Sequence, residues 1–237
     1  MRAIIAGTFA VLLTMGTVLT SQATSLQISP VLVEVPAPGA ASKLLLRNSG
    51  SELVKAQIRV FKWVQKNGKD ELVPTRDVVA SPPLVKISPN GTNIVRVIRI
   101  SKTPTKGEES YRIIVDQLPD RTRKSGVAVK LQMRYSIPVF FGGNSGDEPS
   151  LAWKVKNHGS NLVVKNQGKK HVRISELTVK DKKGRKIASK NGLVGYVLSN
   201  SIASFDIKPF MKAKRYSKVL ITANGRLGKI KLKTNVQ

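Results

Sequence analysis

Cysteine is absent from this 237-residue chain, which excludes thiol catalysis, thiolate metal sites and disulfide exchange. The fold must then rest on a hydrophobic core without cross-links, and a chain of this length can bury one. Aromatic residues are scarce, at two Trp, four Tyr and six Phe. The stacking side chains that single-strand nucleic-acid binders interleave with their bases are therefore missing, and no nucleic-acid partner is expected. Histidine occurs twice, as His158 and His171, each without acids at ligand spacing; both read as ordinary surface or strand positions, and no metal site is expected. Acids number only fourteen. Glu108 and Glu109 are adjacent, so on a strand they point to opposite faces and make no acid/base pair; a solvated loop is the better reading. Gly142, Gly143 and Gly146 do not join a strand to a helix, which excludes a phosphate-binding loop, and no serine sits in an elbow motif. The three-four spacing of an amphipathic helix is also absent. No catalytic residue, cofactor or enzymatic activity is expected.

The one long apolar run lies at the N-terminus. Arg2 provides a positive start, Ala3 to Leu19 is mostly apolar, and Ser21-Gln22-Ala23 offers small residues at the positions a signal peptidase reads. Residues 1–23 are expected to be a signal peptide cleaved after Ala23, leaving an exported chain of 214 residues. No later segment approaches the roughly 18 apolar residues of a membrane helix, so no stable membrane insertion is expected. The formal charge of +27 fits nucleic acid, an anionic membrane or wall polymer, or an acidic protein partner. The bases run through the whole chain, and the plain reading is a strongly basic solvated surface.

What is present is β-structure. Ser25 to Val35 reads as an extended run ending in Pro36-Ala37-Pro38-Gly39, and Ser42 to Leu46 as a second run stopped by Asn48-Ser49-Gly50. Leu53 to Val64 alternates, and Asn67-Gly68 is a hairpin signal. Ser88-Pro89-Asn90-Gly91 is a turn, followed by strands over Ile94 to Ile100, Glu109 to Leu118 and Val127 to Phe141. Strands of this density between turns fit an immunoglobulin-like sandwich. A flexible polar stretch from Gly142 to Pro149 reads as a linker. Beyond it, runs at 153–155, 161–166, 171–180, 185–189, 202–207, 216–222 and 227–232 repeat the pattern. Their turns are expected at Asn166-Gln167-Gly168, Lys182-Lys183-Gly184, Asn191-Gly192 and Asn224-Gly225. The expected architecture is all-β: two immunoglobulin-like β-sandwich domains, over residues 24–143 and 144–237.

Several motifs occur in a telling order: Ile28-Ser29-Pro30-Val31, Leu46-Arg47-Asn48-Ser49-Gly50, Ser81-Pro82-Pro83, Glu109-Ser110-Tyr111-Arg112 running to Leu118-Pro119, and Ser136-Ile137-Pro138-Val139-Phe140. In the second half come Leu162-Val163-Val164-Lys165-Asn166-Gln167-Gly168 and Gly195-Tyr196-Val197-Leu198. The chain thereby resembles the PapD-like periplasmic chaperones of chaperone–usher pilus assembly, in the branch serving spore-coat-type and archaic pili. The resemblance implies two sandwiches at an angle with a cleft between them, and a client that is a pilus subunit lacking one strand of its own fold. It implies that the last strand of the first domain fills that gap. Val127, Val129, Leu131 and Met133 have the period of two that such a donor face needs, although the same alternation also serves a strand facing its own core. The family further uses two basic residues in the cleft to hold the client's terminal carboxylate. Arg134, four residues before Pro138, is the expected anchor. Leu32 stands where the family has the second base, so either Arg47 or Lys130 substitutes or the carboxylate is held differently.

The expected protein is a periplasmic chaperone that binds pilus subunits and delivers them to an outer-membrane usher, its exposed strand also being open to self-association. Two other classes stand beside it. One is an exported structural or adhesive pilus-type protein, against which the missing cysteine pair and the two-domain layout count. The other is a basic polyanion-binding protein, which a salt-steep affinity would mark.

Overall fold

Along the strand Val54–Lys66 (β4), Val54, Ala56 and Ile58 are buried while Gln57 and Arg59 face solvent, the alternation that lets one side of a sheet close over a core. Such patterns build the computed structural model, which describes residues 26–105, 107–119, 132–144, 146–156, 161–206, 218–225 and 228–235. Among the described residues there is no α-helix.

The first half packs two sheets. One runs β1-β3-β8-β6, from Leu26–Ser29 (β1), Ala41–Asn48 (β3), Thr92–Arg99 (β8) and Val78–Ser81 (β6). The other runs β2-β10-β9-β4-β5, from Val33–Val35 (β2), Arg134–Gly142 (β10), Glu108–Leu118 (β9), β4 and Lys69–Pro74 (β5), with Leu84–Ile87 (β7) also on β4. Leu44, Leu46, Val95 and Val97 of the first sheet meet Ile113, Val115, Val139 and Phe141 of the second in one apolar core. The run expected as one strand over 25–35 is split at Pro30. Its first part pairs antiparallel with β3 and its second pairs parallel with β10, so the segment crosses from one sheet to the other. Asn67 and Gly68, at φ 51° and 79°, close the β4–β5 hairpin as expected.

The second half repeats the plan. One sheet orders Leu151–Lys156 (β11), Asn161–Asn166 (β12) and Ile202–Asp206 (β15); the other runs β14-β13-β16-β17, from Lys186–Val197 (β14), Val172–Lys180 (β13), Lys218–Gly225 (β16) and Gly228–Asn235 (β17). Val155, Leu162, Ile174, Val179 and Ile221 are buried between them. The turn expected at Asn191-Gly192 is instead a bulge inside β14. Gly192 and the opposing Glu176 both have positive φ, the register of β13 and β14 slips there, and the Glu176 carboxylate accepts from Gly192 N–H.

A buried asparagine ties each half together. Asn48 donates through Nδ2 to the carbonyls of Glu52, Ile87 and Ser88 and accepts from Gly50 N–H. Asn166 donates to Lys170, Val197 and Leu198 and accepts from Gly168 and Ser150 N–H. In both, an Asn-x-Gly at the end of a strand satisfies backbone groups from distant segments, work a turn signal alone does not imply.

Candidate functional site: the cleft between the sandwiches

Ile137, Val139 and Phe141 point into the first core, so Phe140 points out of it, yet Phe140 is also buried. It is covered by the second sandwich. Trp63 of β4, Phe140 of β10, and Tyr196 and Leu198 from the end of β14 form a separate apolar cluster, with Leu32 packed against it. The Tyr196 ring stands edge-on to Trp63 at 5.4 Å and 76°. Polar links surround the cluster. Gln65 donates to the Tyr196 carbonyl at 2.9 Å and accepts from Leu198 N–H at 3.0 Å. Ser204 N–H donates to the carbonyl of Gly68, so the tip of the β4–β5 hairpin joins the edge of β15.

Two expectations are corrected here. His171 is neither a surface residue nor remote from acids. It is 2% exposed, its ring stacks on Phe140 at 3.5 Å and 5°, and Glu108 meets both its Nδ1 and its backbone N–H at 2.8 Å. Glu34 lies 3.7 Å from its Nε2. Glu108 and Glu109 do face opposite ways, but neither is in a solvated loop: both open β9, Glu108 reaching across to the second sandwich and Glu109 holding Arg99 in the first. Among the described residues no cluster of three or more His, Cys, Asp or Glu could hold a metal ion.

A cation facing this cluster is Arg112, which the sequence reading did not single out as a site residue. It sits on β9 opposite Pro138 of β10 and Phe61 of β4. Its guanidinium lies 3.8 Å over the Trp63 ring and 5.6 Å from the Tyr196 ring. It is half-buried, and burial lowers its pKa from the ordinary arginine value. Among the described residues no carboxylate lies within ion-pair distance of it; its one side-chain hydrogen bond is a long one, 3.5 Å, to the Ser136 carbonyl.

Arg134 is placed elsewhere. It opens β10, six residues before Phe140, which is about 20 Å along a strand from the cluster. Its side chain is 68% exposed and is bound to Asp116, which also takes a 2.6 Å bond from Arg59. Burial pushes the Asp116 carboxyl up, but the bonds from Arg134 and Arg59 outweigh this and hold it below the usual range. Met133 is 38% exposed, and its carbonyl accepts from Gln117 N–H, extending the β9–β10 ladder by one step. Val127, Val129, Leu131 and Lys130 lie outside the described residues, and the strand expected from Val127 begins, within them, at Arg134. Arg47 is exposed on the other sheet of the first half, paired with Gln27 and Thr92, and does not reach the cleft.

The model of the pili and flagellar-assembly chaperone family, PapD N-terminal domain, matches residues 25–144. The chain belongs to that family. Its members are assembly chaperones rather than enzymes. The chain is also 30% identical over 135 residues to the chaperone protein FaeE of Escherichia coli, covering 55% of this chain and 50% of FaeE, so it spans about half the length of that relative. Among solved structures, it is 30% identical, with a TM-score of 0.69, to a chain of the CsuC–CsuE chaperone–tip adhesion subunit pre-assembly complex from the archaic chaperone–usher Csu pili of Acinetobacter baumannii. That match covers 90% of this chain and 99% of the other. The CupB2 chaperone of Pseudomonas aeruginosa shares the fold at 18% identity and a TM-score of 0.58, over 89% of this chain and 100% of that one. The expected fold of two immunoglobulin-like sandwiches and the expected PapD-like family agree with these matches, and the CsuC–CsuE complex is itself from an archaic chaperone–usher system.

Proposed function

We propose that this protein is a periplasmic chaperone that captures pilus subunits, completes their fold with a lent strand and hands them to an outer-membrane usher. In this reading residues 1–23 direct export, and residues 24–143 and 144–237 are the two working units flanking the cleft. Val127, Val129, Leu131 and Met133 enter the gap in the subunit, and main-chain hydrogen bonds along the strand supply much of the attachment. The exposed side chain of Met133, beside a backbone that already continues the β9–β10 ladder, suits the base of such a strand.

The observation that carries the reading is Arg112. A half-buried guanidinium on an aromatic floor, with no carboxylate beside it among the described residues, is suited to an incoming terminal carboxylate. That anion would gain charge-assisted hydrogen bonds in a setting where water competes weakly. Arg112 thus takes the anchoring role expected of Arg134, whose guanidinium is already satisfied by Asp116. Leu32 packs against the same apolar cluster, so that position adds desolvation and not a second cation.

Co-expression with a subunit tests this. Arg112→Ala should weaken capture by about 2–5 kcal/mol, the usual cost of removing one partner from a desolvated charge pair, while Arg134→Ala leaves capture largely intact. Affinity chromatography of the subunit complex reads both. Full capture by the Arg112 variant alongside loss in the Arg134 variant would return the anchor to Arg134.

A further inference from the structure

The positive charge is not evenly distributed. Residues 151–237 contain 21 of the 41 basic residues but only 3 of the 14 acids, so the excess lies mainly in the second half. Two of those acids are engaged: Asp181 is 4% exposed and bound by Arg185 at 2.7 Å, and Glu176 holds Gly192. The third, Asp206, is on β15 in the other sheet. The four strands β13, β14, β16 and β17 together contain eight bases and one acid, Glu176.

Their register places five of these bases, Lys180, Lys186, Lys229, Lys231 and Lys233, on one face. Val219, Ile221, Ala223 and Val179 point into the core, so the alternate positions point out. Lys186, Lys180, Leu220 and Lys233 form one row across the sheet. Ser189, Thr178, Thr222 and Lys231 form the next, and Leu193, Ser175, Asn224 and Lys229 a third. Rows two residues apart are separated by about 7 Å, and the outer strands by about 14 Å. The result is a two-dimensional array of lysines with small hydroxyl side chains between them.

We infer that this face docks on a planar anionic lipid surface through the lysines of β13, β14 and β17. A linear polyanion would engage one row at a time, whereas a plane of phosphate headgroups meets all three. Among the described residues the face presents no exposed aromatic side chain for base stacking, and of its large apolar members Leu220 is partly covered and Leu193 stands at the β14 edge, so it lacks the desolvated apolar centre of a protein interface. Clustered lysines next to an anionic leaflet attract additively within a Debye length of about 8 Å at physiological salt. The inference is independent of subunit capture and places the second sandwich against the membrane.

Vesicle co-sedimentation of the whole protein tests it, with phosphatidylglycerol-containing vesicles, purely zwitterionic vesicles and increasing salt. The zwitterionic arm reports any binding by the apolar N-terminal segment. The protein should bind the anionic vesicles selectively and be released by high salt. The variant Lys229→Glu, Lys231→Glu, Lys233→Glu should bind at least about tenfold more weakly. A second variant carries the same charge change on the first sandwich: Lys43→Glu, Arg47→Glu, Arg96→Glu. It should retain most of the binding. Equal loss in both variants would mean net charge alone and overturn the assignment, as would failure of the wild type to prefer anionic vesicles. Circular dichroism of both variants confirms that each is folded, since all six side chains are exposed.

Discussion

Glu109 illustrates how much one side chain organises. Arg99 grips its carboxylate at 2.8 and 3.0 Å, and the Tyr111 hydroxyl donates to it at 2.9 Å. The hydrogen bond from Arg99 holds its carboxyl below the usual range, helped by Tyr111 and opposed by burial. A depressed folded-state pKa contributes stability that is fully present above the unfolded carboxylate value, about 4.3, and is lost as pH falls through the folded value. Asp116, lowered as well, adds to the same slope. Urea unfolding measured from pH 7 down should therefore show stability falling below about pH 4.5. Glu109→Gln should be less stable at pH 7 and lose less on acidification. An unchanged acid slope in that variant would remove Glu109 from the account. At this scale the sequence was a poor guide to the site. Arg112 is one base among 41, and its motif, Glu109-Ser110-Tyr111-Arg112, points to the family and not to a site. Its aromatic floor comes from β4 and β14, which only tertiary contact brings together.

Elements were far more legible than sites. Strand after strand alternates as the sequence implies, and the hairpin at Asn67-Gly68 follows from two residues that accept positive φ. Asn191-Gly192 carries the same signal but makes a bulge, because β14 continues past it against β13 and the partner strand absorbs the extra residue at Glu176. The two Asn-x-Gly corners were read as stops, yet each asparagine satisfies carbonyls contributed by a second strand end. Asn48→Ala or Asn166→Ala leaves several buried backbone groups without partners, and each should cost about 2–4 kcal/mol. Thermal or urea denaturation would check this. Asp in place of Asn keeps the acceptor while losing the donor, so it should rescue little.

Across the whole molecule, the relation between the sandwiches rests, among the described residues, on the Trp63, Phe140, Tyr196 and Leu198 cluster, the His171–Glu108 pair, the two bonds of Gln65 and the backbone bond of Ser204 to Gly68. Removing Gln65 and His171 together should loosen the angle between the halves without unfolding either. Small-angle scattering of Gln65→Ala, His171→Ala should then show a larger radius of gyration and a broader distance distribution than the wild type. An unchanged profile would mean that the apolar cluster and the Ser204–Gly68 bond together set the angle. Such a variant should also capture subunits less well, since Tyr196 supplies the second ring beside Arg112, next to the Trp63 ring of its own sandwich.

The sequence by itself determined the class of fold, the alternation of its strands, most of its turns and the order of motifs that mark the family, because each depends on neighbours along the chain. It also set the net charge. Tertiary structure alone decided which charges remain available. Burial and pairing depend on distances through space. Asp116 therefore engages Arg134, Asp181 engages Arg185, and His171 is enclosed with Glu108. Arg112 is left half-desolvated in the cleft, and the lysines of one sheet face are left open to solvent. Membership of an assembly-chaperone family puts the function in shape and charge, and the packing of the two sandwiches sets where each is presented.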